Sequence, residues 1–174
     1  AGLTQAIVAV DKPVIAAIHG HAVGAGLAYA LACDRRFADS TARLCAIFVR
    51  RGLSPDCGVS WLLPRVVGLP NALMLVETAK MVGAEEALRL GLVDELVPEG
   101  KDLEAALAYA KELASGPSVA IDLARRAIYK SLTSTLEEIL DYEAVAGTMT
   151  ASTRDAREGA LSMLEKRKGV FTGY

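Results

Sequence analysis

Histidine and cysteine are scarce in this chain, two and three of 174 residues, and their placement excludes several chemistries. Cys33, Cys45 and Cys57 form no C-x-x-C pair, and with so few histidines a metal cluster has little support. An odd cysteine count also argues against a secreted disulfide scaffold, so a reducing, cytoplasmic setting is expected. An excess of either charge is missing as well: 19 basic and 21 acidic residues give a net charge of −2. Nothing in that balance suggests a nucleic-acid backbone as the main partner. The basic run Lys166-Arg167-Lys168 is a local patch. The first residues lack the charged–apolar–small pattern of a signal sequence, and no repeat or low-complexity segment is found.

Apolar residues are abundant, at 52% with a mean hydropathy of +0.31. That is high for so short a chain, so some apolar surface is expected to be covered by another subunit or by further chain. The length suits one domain with a helical appendage. Ala1–Val10 reads as the last turns of a helix already under way, as in a piece of a longer protein, stopped by Asp11-Lys12-Pro13.

The organising stretch is Pro13–Ala32, PVIAAIHGHAVGAGLAYALA. Pro13–Ile18 is a short β-branched run that suits a strand covered on both faces. Gly20, Gly24 and Gly26 break the pattern, and from Ala25 onward Ala, Leu and Tyr favour helix. A strand feeding a helix through glycines leaves free backbone N–H groups at the helix N-terminus. An oxyanion forming on a carbonyl can use such groups as well as a phosphate can. A tightly packed turn is the plainer alternative, because short glycine patterns are weak signals. Residues 14–33 are also long and apolar enough for a membrane span, but His19, His21 and the glycines oppose it.

Beyond that helix, Arg36-Phe37-Ala38 and Arg43-Leu44-Cys45 read as short strands, Asn71–Lys80 as a helix, and Ala84–Leu90 as a helix ended by Gly91. Leu92–Val97 reads as a strand. From Asp102 the pattern is helical to the end, broken at Gly116-Pro117, with apolar stripes that mark core or subunit-contact faces. Alternating strand and helix places the chain in the α/β class.

Ile47–Val67, IFVRRGLSPDCGVSWLLPRVV, is the second informative stretch. Gly52, Pro55, Asp56 and Gly58 mark a loop, and Gly58–Leu63 a short helix. Asp56 suits an Asx-turn or N-cap. It equally suits a proton-transfer base, because Ile47, Phe48, Val59, Trp61 and Leu62 are near it in sequence and would partly desolvate it.

Lys12–Asp34, Arg51–Gly68, Gly83–Val97 and Arg157–Phe171 together resemble the crotonase superfamily, the enoyl-CoA hydratases and isomerases. The resemblance covers the whole chain, with the motifs in the family's order. It implies a crotonase-like ββα spiral core over residues 1–115 and a C-terminal helical trimerisation region over residues 116–174. It further implies that family members begin with a strand-rich segment, roughly their first third, which carries the first oxyanion N–H and much of the coenzyme A pocket. The second oxyanion N–H matches Ala25, in Gly24-Ala25-Gly26, and Ala serves there if its φ stays negative.

Hydratases of the family hold a water between two glutamates, and the matching positions are Ala28 and Phe48. Asp56 occupies the position where family isomerases place an acidic residue. The run Gly52–Arg65 looks most like the epoxyphenylacetyl-CoA isomerase and enoyl-CoA isomerase subgroup. The implied activity is acyl-CoA isomerisation, with Asp56 as proton shuttle and the Ala25 N–H holding the thioester oxygen. Val23, Gly24, Gly26, Ile47, Phe48 and Cys57 match pocket positions. Met163 and Lys166 match positions that reach a neighbour's coenzyme A. No cofactor is expected beyond the coenzyme A of the substrate. The expected partners are an acyl-CoA thioester and further copies in a homotrimer or homohexamer, with no nucleic acid and no membrane.

Three alternatives remain at this point. One is a hydratase. Another is a dehalogenase-like nucleophilic Asp56, whose histidine and tryptophan partners would fall at Ala1 and Phe48. The last is a non-catalytic acyl-CoA-binding or assembly subunit. His21, beside the turn, reads as structural, and Trp61 as packing the Asp56 loop.

Overall fold

The structure is a computed structural model that describes residues 2–174. Ala1, the start of the expected first helix and the matching position for a dehalogenase histidine, lies outside the described residues. The chain forms two compact units, Ala1–Ala108 and Tyr109–Tyr174.

In the first unit, α1 (Gly2–Val8) is followed by β1 (Ile15–Ile18), β2 (His21–Val23) and α2 (Ala25–Ala32). Next come β3 (Arg35–Asp39), β4 (Arg43–Cys45), a 3-10 turn over Ile47–Arg51, α3 (Val59–Val67) and α4 (Leu69–Thr78). β5 (Val82–Gly83), α5 (Ala84–Leu90), β6 (Glu95–Val97) and α6 (Asp102–Ala114) complete it, α6 continuing past Ala108. The first four strands alternate between two sheets. β1, β3 and β6 form one parallel sheet, and β2, β4 and β5 the other, with β2 parallel and β5 antiparallel to β4. This is the expected ββα pattern.

The expected single strand before the helix is therefore two strands. Gly20, at φ 59°, carries the chain from one sheet to the other. Its N–H donates to the Thr41 hydroxyl at 3.0 Å, and its carbonyl accepts from Arg43 N–H at 2.6 Å. The apolar run 14–33 is thus divided among β1, β2 and α2, and no helix among the described residues is long and apolar enough to cross a membrane. Buried aliphatic side chains fill the space between sheets and helices, Leu27, Leu44, Leu63, Val59 and Val82 among them.

Asp39 fixes the end of β3. It is 2% exposed and accepts from Thr41 N–H at 2.9 Å, the Thr41 hydroxyl at 2.6 Å and Gly100 N–H at 2.9 Å. The Gly100 and Thr41 hydrogen bonds hold its carboxyl below the usual carboxylate range, against the opposing effect of burial. Asp39→Asn puts an amide where two acceptor oxygens are needed and is expected to cost ~1–3 kcal/mol in urea unfolding. Because the folded-state value is depressed, the wild type's advantage is full above the unfolded carboxyl value of about 3.9. It fades as pH falls through the lower folded value, so the two proteins should converge in strong acid.

In the second unit, α7 (Ser118–Ser131) packs on α8 (Leu136–Ala151), and α8 on α9 (Arg154–Leu164). Thr135 and Glu138 close a reciprocal capping box on α8. The tail folds back on α9: Asp155 accepts from Thr172 and Gly173 N–H, both at 2.8 Å, and Arg167 pairs with Glu158. That pairing brings the Glu158 carboxyl down to about 2. α7 and α8 bury no residue fully. Leu136 and Leu164, on the expected apolar stripes, are 75% and 77% exposed in the single chain.

Candidate active site

The turn before α2 is built by strand pairing. Val23 of β2 registers with Cys45 of β4, and Gly24 N–H donates to the Cys45 carbonyl at 3.0 Å. Gly24 sits at φ 58°, ψ −117°, where a side chain is strained. A Cβ added there would lie 3.6 Å from Ile47 Cγ2. β2, β4 and the 3-10 turn therefore bring Val23, Gly24, Ile47 and Phe48 to one place. Helix geometry leaves the N–H groups of Ala25, Gly26 and Leu27 without intrahelical acceptors, and no side chain caps α2. Ala25 is not among the described residues with positive φ, so an alanine serves at this position. Ala25 is half-buried and Gly26 is exposed.

The Asp56 loop differs from expectation in three ways. First, residues 47–51 are a 3-10 turn rather than irregular loop, closed by left-handed Gly52, whose N–H reaches the Phe48 and Val49 carbonyls. Secondly, Asp56 does not cap α3. The cap is Gly58, and it is the Asp56 main-chain carbonyl that accepts Val59 N–H, at 3.1 Å. Thirdly, the apolar neighbours do not desolvate Asp56. Cys57 at φ 50° and Gly58 at φ 87° turn the chain so that Val59 and Leu62 enter the core while Asp56 stays exposed. Phe48 is also in the core, at 6%. Trp61 is 45% exposed, and the Arg65 guanidinium stacks 3.9 Å from its ring centroid.

Instead of apolar walls, Asp56 has a thiol beside it. Hydrogen bonding with Asp56, partial desolvation and the Asp56 charge push the Cys57 thiol above its ordinary value. A hydrogen bond from the Tyr29 side chain acts the other way. Tyr29 lies on α2, one turn after Ala25. Thr4 of α1 closes the arrangement from below, its hydroxyl donating to the Cys57 carbonyl at 2.7 Å. Neither Tyr29 nor Thr4 stands out in the sequence. Only the helical spacing of Tyr29 from Ala25 hints at its place.

Met163 and Lys166 belong to the second unit, both exposed at the C-terminal end of α9, with Lys166 at φ 53°. His21 is exposed at the start of β2. A cavity of about 510 Å³ in the first unit is lined by His19, Asp39, Thr41, Glu99 and Asp102 among others, and by none of the candidate residues. Among the described residues no group of His, Cys, Asp and Glu is placed to hold a metal ion.

The fold thus offers an open helix N-terminus, fed by a glycine turn, whose N–H groups can receive a carbonyl oxygen, and an exposed carboxylate on the loop before α3. The enoyl-CoA hydratase/isomerase family model matches residues 1–174. A probable enoyl-CoA hydratase of Rhodobacter capsulatus is 41% identical over 98% of this chain and 66% of its own length. The 1,2-epoxyphenylacetyl-CoA isomerase of Escherichia coli is 36% identical over 98% of this chain and 65% of its own length. The crystal structure of a putative enoyl-CoA hydratase/isomerase from Mycobacterium abscessus superposes with a TM-score of 0.95 at 33% identity, over 98% of this chain and 66% of that one. The chain belongs to the enoyl-CoA hydratase/isomerase family, and it spans just under two thirds of the length of these relatives.

Proposed function

We propose that the full-length protein is an acyl-CoA isomerase that moves a proton between carbons of a thioester through Asp56. The observation that carries this reading is the carboxylate inventory around the open helix end. The positions that match the hydratase glutamates hold Ala28, fully buried, and Phe48, 6% exposed, and neither side chain can transfer a proton. Asp56 is the sole carboxylate between Arg43 and Arg65, and it is exposed and free of any capping duty.

In the reaction, the thioester oxygen accepts the Ala25 N–H. Asp56 removes a proton from the acyl chain, and the electron pair moves onto the carbonyl oxygen as an enolate. Collapse of the enolate with return of the same proton to another carbon shifts the double bond and restores the carboxylate. One carboxylate suffices for such a shuttle, whereas hydration also needs a positioned, activated water. Val23, Ile47 and Cys57 line the acyl side, and coenzyme A enters only as part of the substrate. The exposed stripes of α7–α9 suit burial in a homotrimer or homohexamer, in which Met163 and Lys166 reach a neighbour's coenzyme A.

The test supplies the full-length protein with a 3-enoyl-CoA and a 2-enoyl-CoA separately and follows migration and water addition in wild type and Asp56→Asn. Migration that depends on Asp56 supports the isomerase. Hydration that survives the substitution returns the protein to the hydratases.

A further inference from the structure

Cys57 is a non-glycine residue held at φ 50°, a conformation that L side chains adopt only when their surroundings impose it. What imposes it is Thr4. Thr4 is 8% exposed, unusual for a hydroxyl residue of a short helix. Its hydroxyl donates to the Cys57 carbonyl at 2.7 Å, across 53 residues of sequence. Its methyl lies where a Cβ on the next residue, Gly58, would come within 3.3 Å of Thr4 Cγ2. Thr4 therefore grips both residues of the left-handed pair that ends at α3. The pair directly follows Asp56, whose neighbourhood raises the Cys57 thiol above its ordinary value. α1 also packs directly on α2.

We propose that Thr4 is a positioning residue for Asp56: by holding the Cys57 carbonyl and packing against Gly58 it fixes the left-handed turn that directly follows Asp56, and with it the direction in which the Asp56 carboxylate points. This inference rests on the isomerase reading, in which the position of Asp56 decides the rate.

The test compares Thr4→Val, which keeps the shape and deletes the donor, with Thr4→Ser, which keeps the donor, in the full-length protein beside Asp56→Asn. In Thr4→Val, kcat for double-bond migration should fall ~10-fold with KM nearly unchanged, the signature of a displaced catalytic group. Thr4→Ser should stay within about twofold of wild type in both constants. Alkylation of Cys57 at about pH 8, followed peptide by peptide, should accelerate several-fold in Thr4→Val, because a thiol released from a carboxylate ionises more readily. Wild-type kcat in Thr4→Val, with Asp56→Asn inactive, overturns the positioning role alone. A Thr4→Val loss that Ser fails to rescue, with Cys57 reacting at the wild-type rate, also overturns it and marks Thr4 as merely structural. Near-normal migration by Asp56→Asn removes the shuttle and the positioning role together.

Discussion

Asp56→Asn should fold like the wild type and lose double-bond migration by ~10²–10⁴-fold, the range a positioned acid–base group contributes. Both halves follow from where the carboxylate is. Asp56 is exposed, and α3 is capped by Gly58, so no helix end or buried network depends on its charge. Asparagine keeps the size and the main-chain carbonyl that accepts Val59 N–H. It cannot accept a proton from carbon. The substitution also carries an internal control. Cys57 owes its raised value first to the hydrogen bond with the Asp56 carboxylate. In Asp56→Asn the thiol should therefore ionise at lower pH and react faster with alkylating agents, and an unchanged thermal midpoint measured beside it shows that the protein is still folded. Faster Cys57 alkylation with lost migration is the expected pair. Retained migration with faster alkylation would remove Asp56 from the chemistry without any doubt about the fold. If neither migration nor hydration occurs in the wild type, ring-acyl thioesters are the next substrates to try. A failure on those favours an acyl-CoA-binding or assembly subunit.

Local punctuation made much of the fold legible. β4 is found at Arg43–Cys45 and α5 at Ala84–Leu90, with left-handed Gly91 as its stop. These ends are set by glycine, charge and short-range periodicity, which a sequence displays. β2 was not legible, because His21–Val23 has only three residues and owes its conformation to β4, which lies 20 residues further on. The expected strand over Leu92–Val97 contracts to Glu95–Val97 for a related reason. Leu92 and Val93 are 1% exposed, buried by α5 and its Gly91 turn before the chain reaches β3. The Asp56 loop shows the same limit at the level of the site. Apolar neighbours in sequence suggested a desolvated carboxylate, but two successive left-handed residues send Val59 and Leu62 inward while Trp61 and the carboxylate stay exposed. Thr4 could not be found at all without the fold, since nothing local relates it to a carbonyl 53 residues away.

The open end of α2 can be tested with a substitution that most helices would not tolerate. Ala25→Pro deletes one backbone N–H and nothing else that the fold uses. Ala25 is the first residue of α2, where the N–H has no intrahelical acceptor and proline's fixed φ matches the helix. The residue before a proline is restricted by clashes of the ring with its N–H and Cβ, and here it is Gly24, which has no Cβ. Thermal unfolding should therefore move little. The intermediate enolate would lose the Ala25 donor from its oxygen, and removing one such donor typically costs ~10²–10³-fold in kcat. KM for the enoyl thioester should change less than kcat, because the ground-state carbonyl carries less negative charge than the enolate. Gly24→Ala gives the opposite pattern. It leaves every N–H in place but forces a side chain onto a φ of 58°, so stability and activity should fall together. A stable Ala25→Pro protein with wild-type turnover would show that the thioester oxygen lies elsewhere. A stable protein with kcat alone depressed would fix the reacting carbonyl at the N-terminus of α2, and with it the side of the substrate that Asp56 must reach.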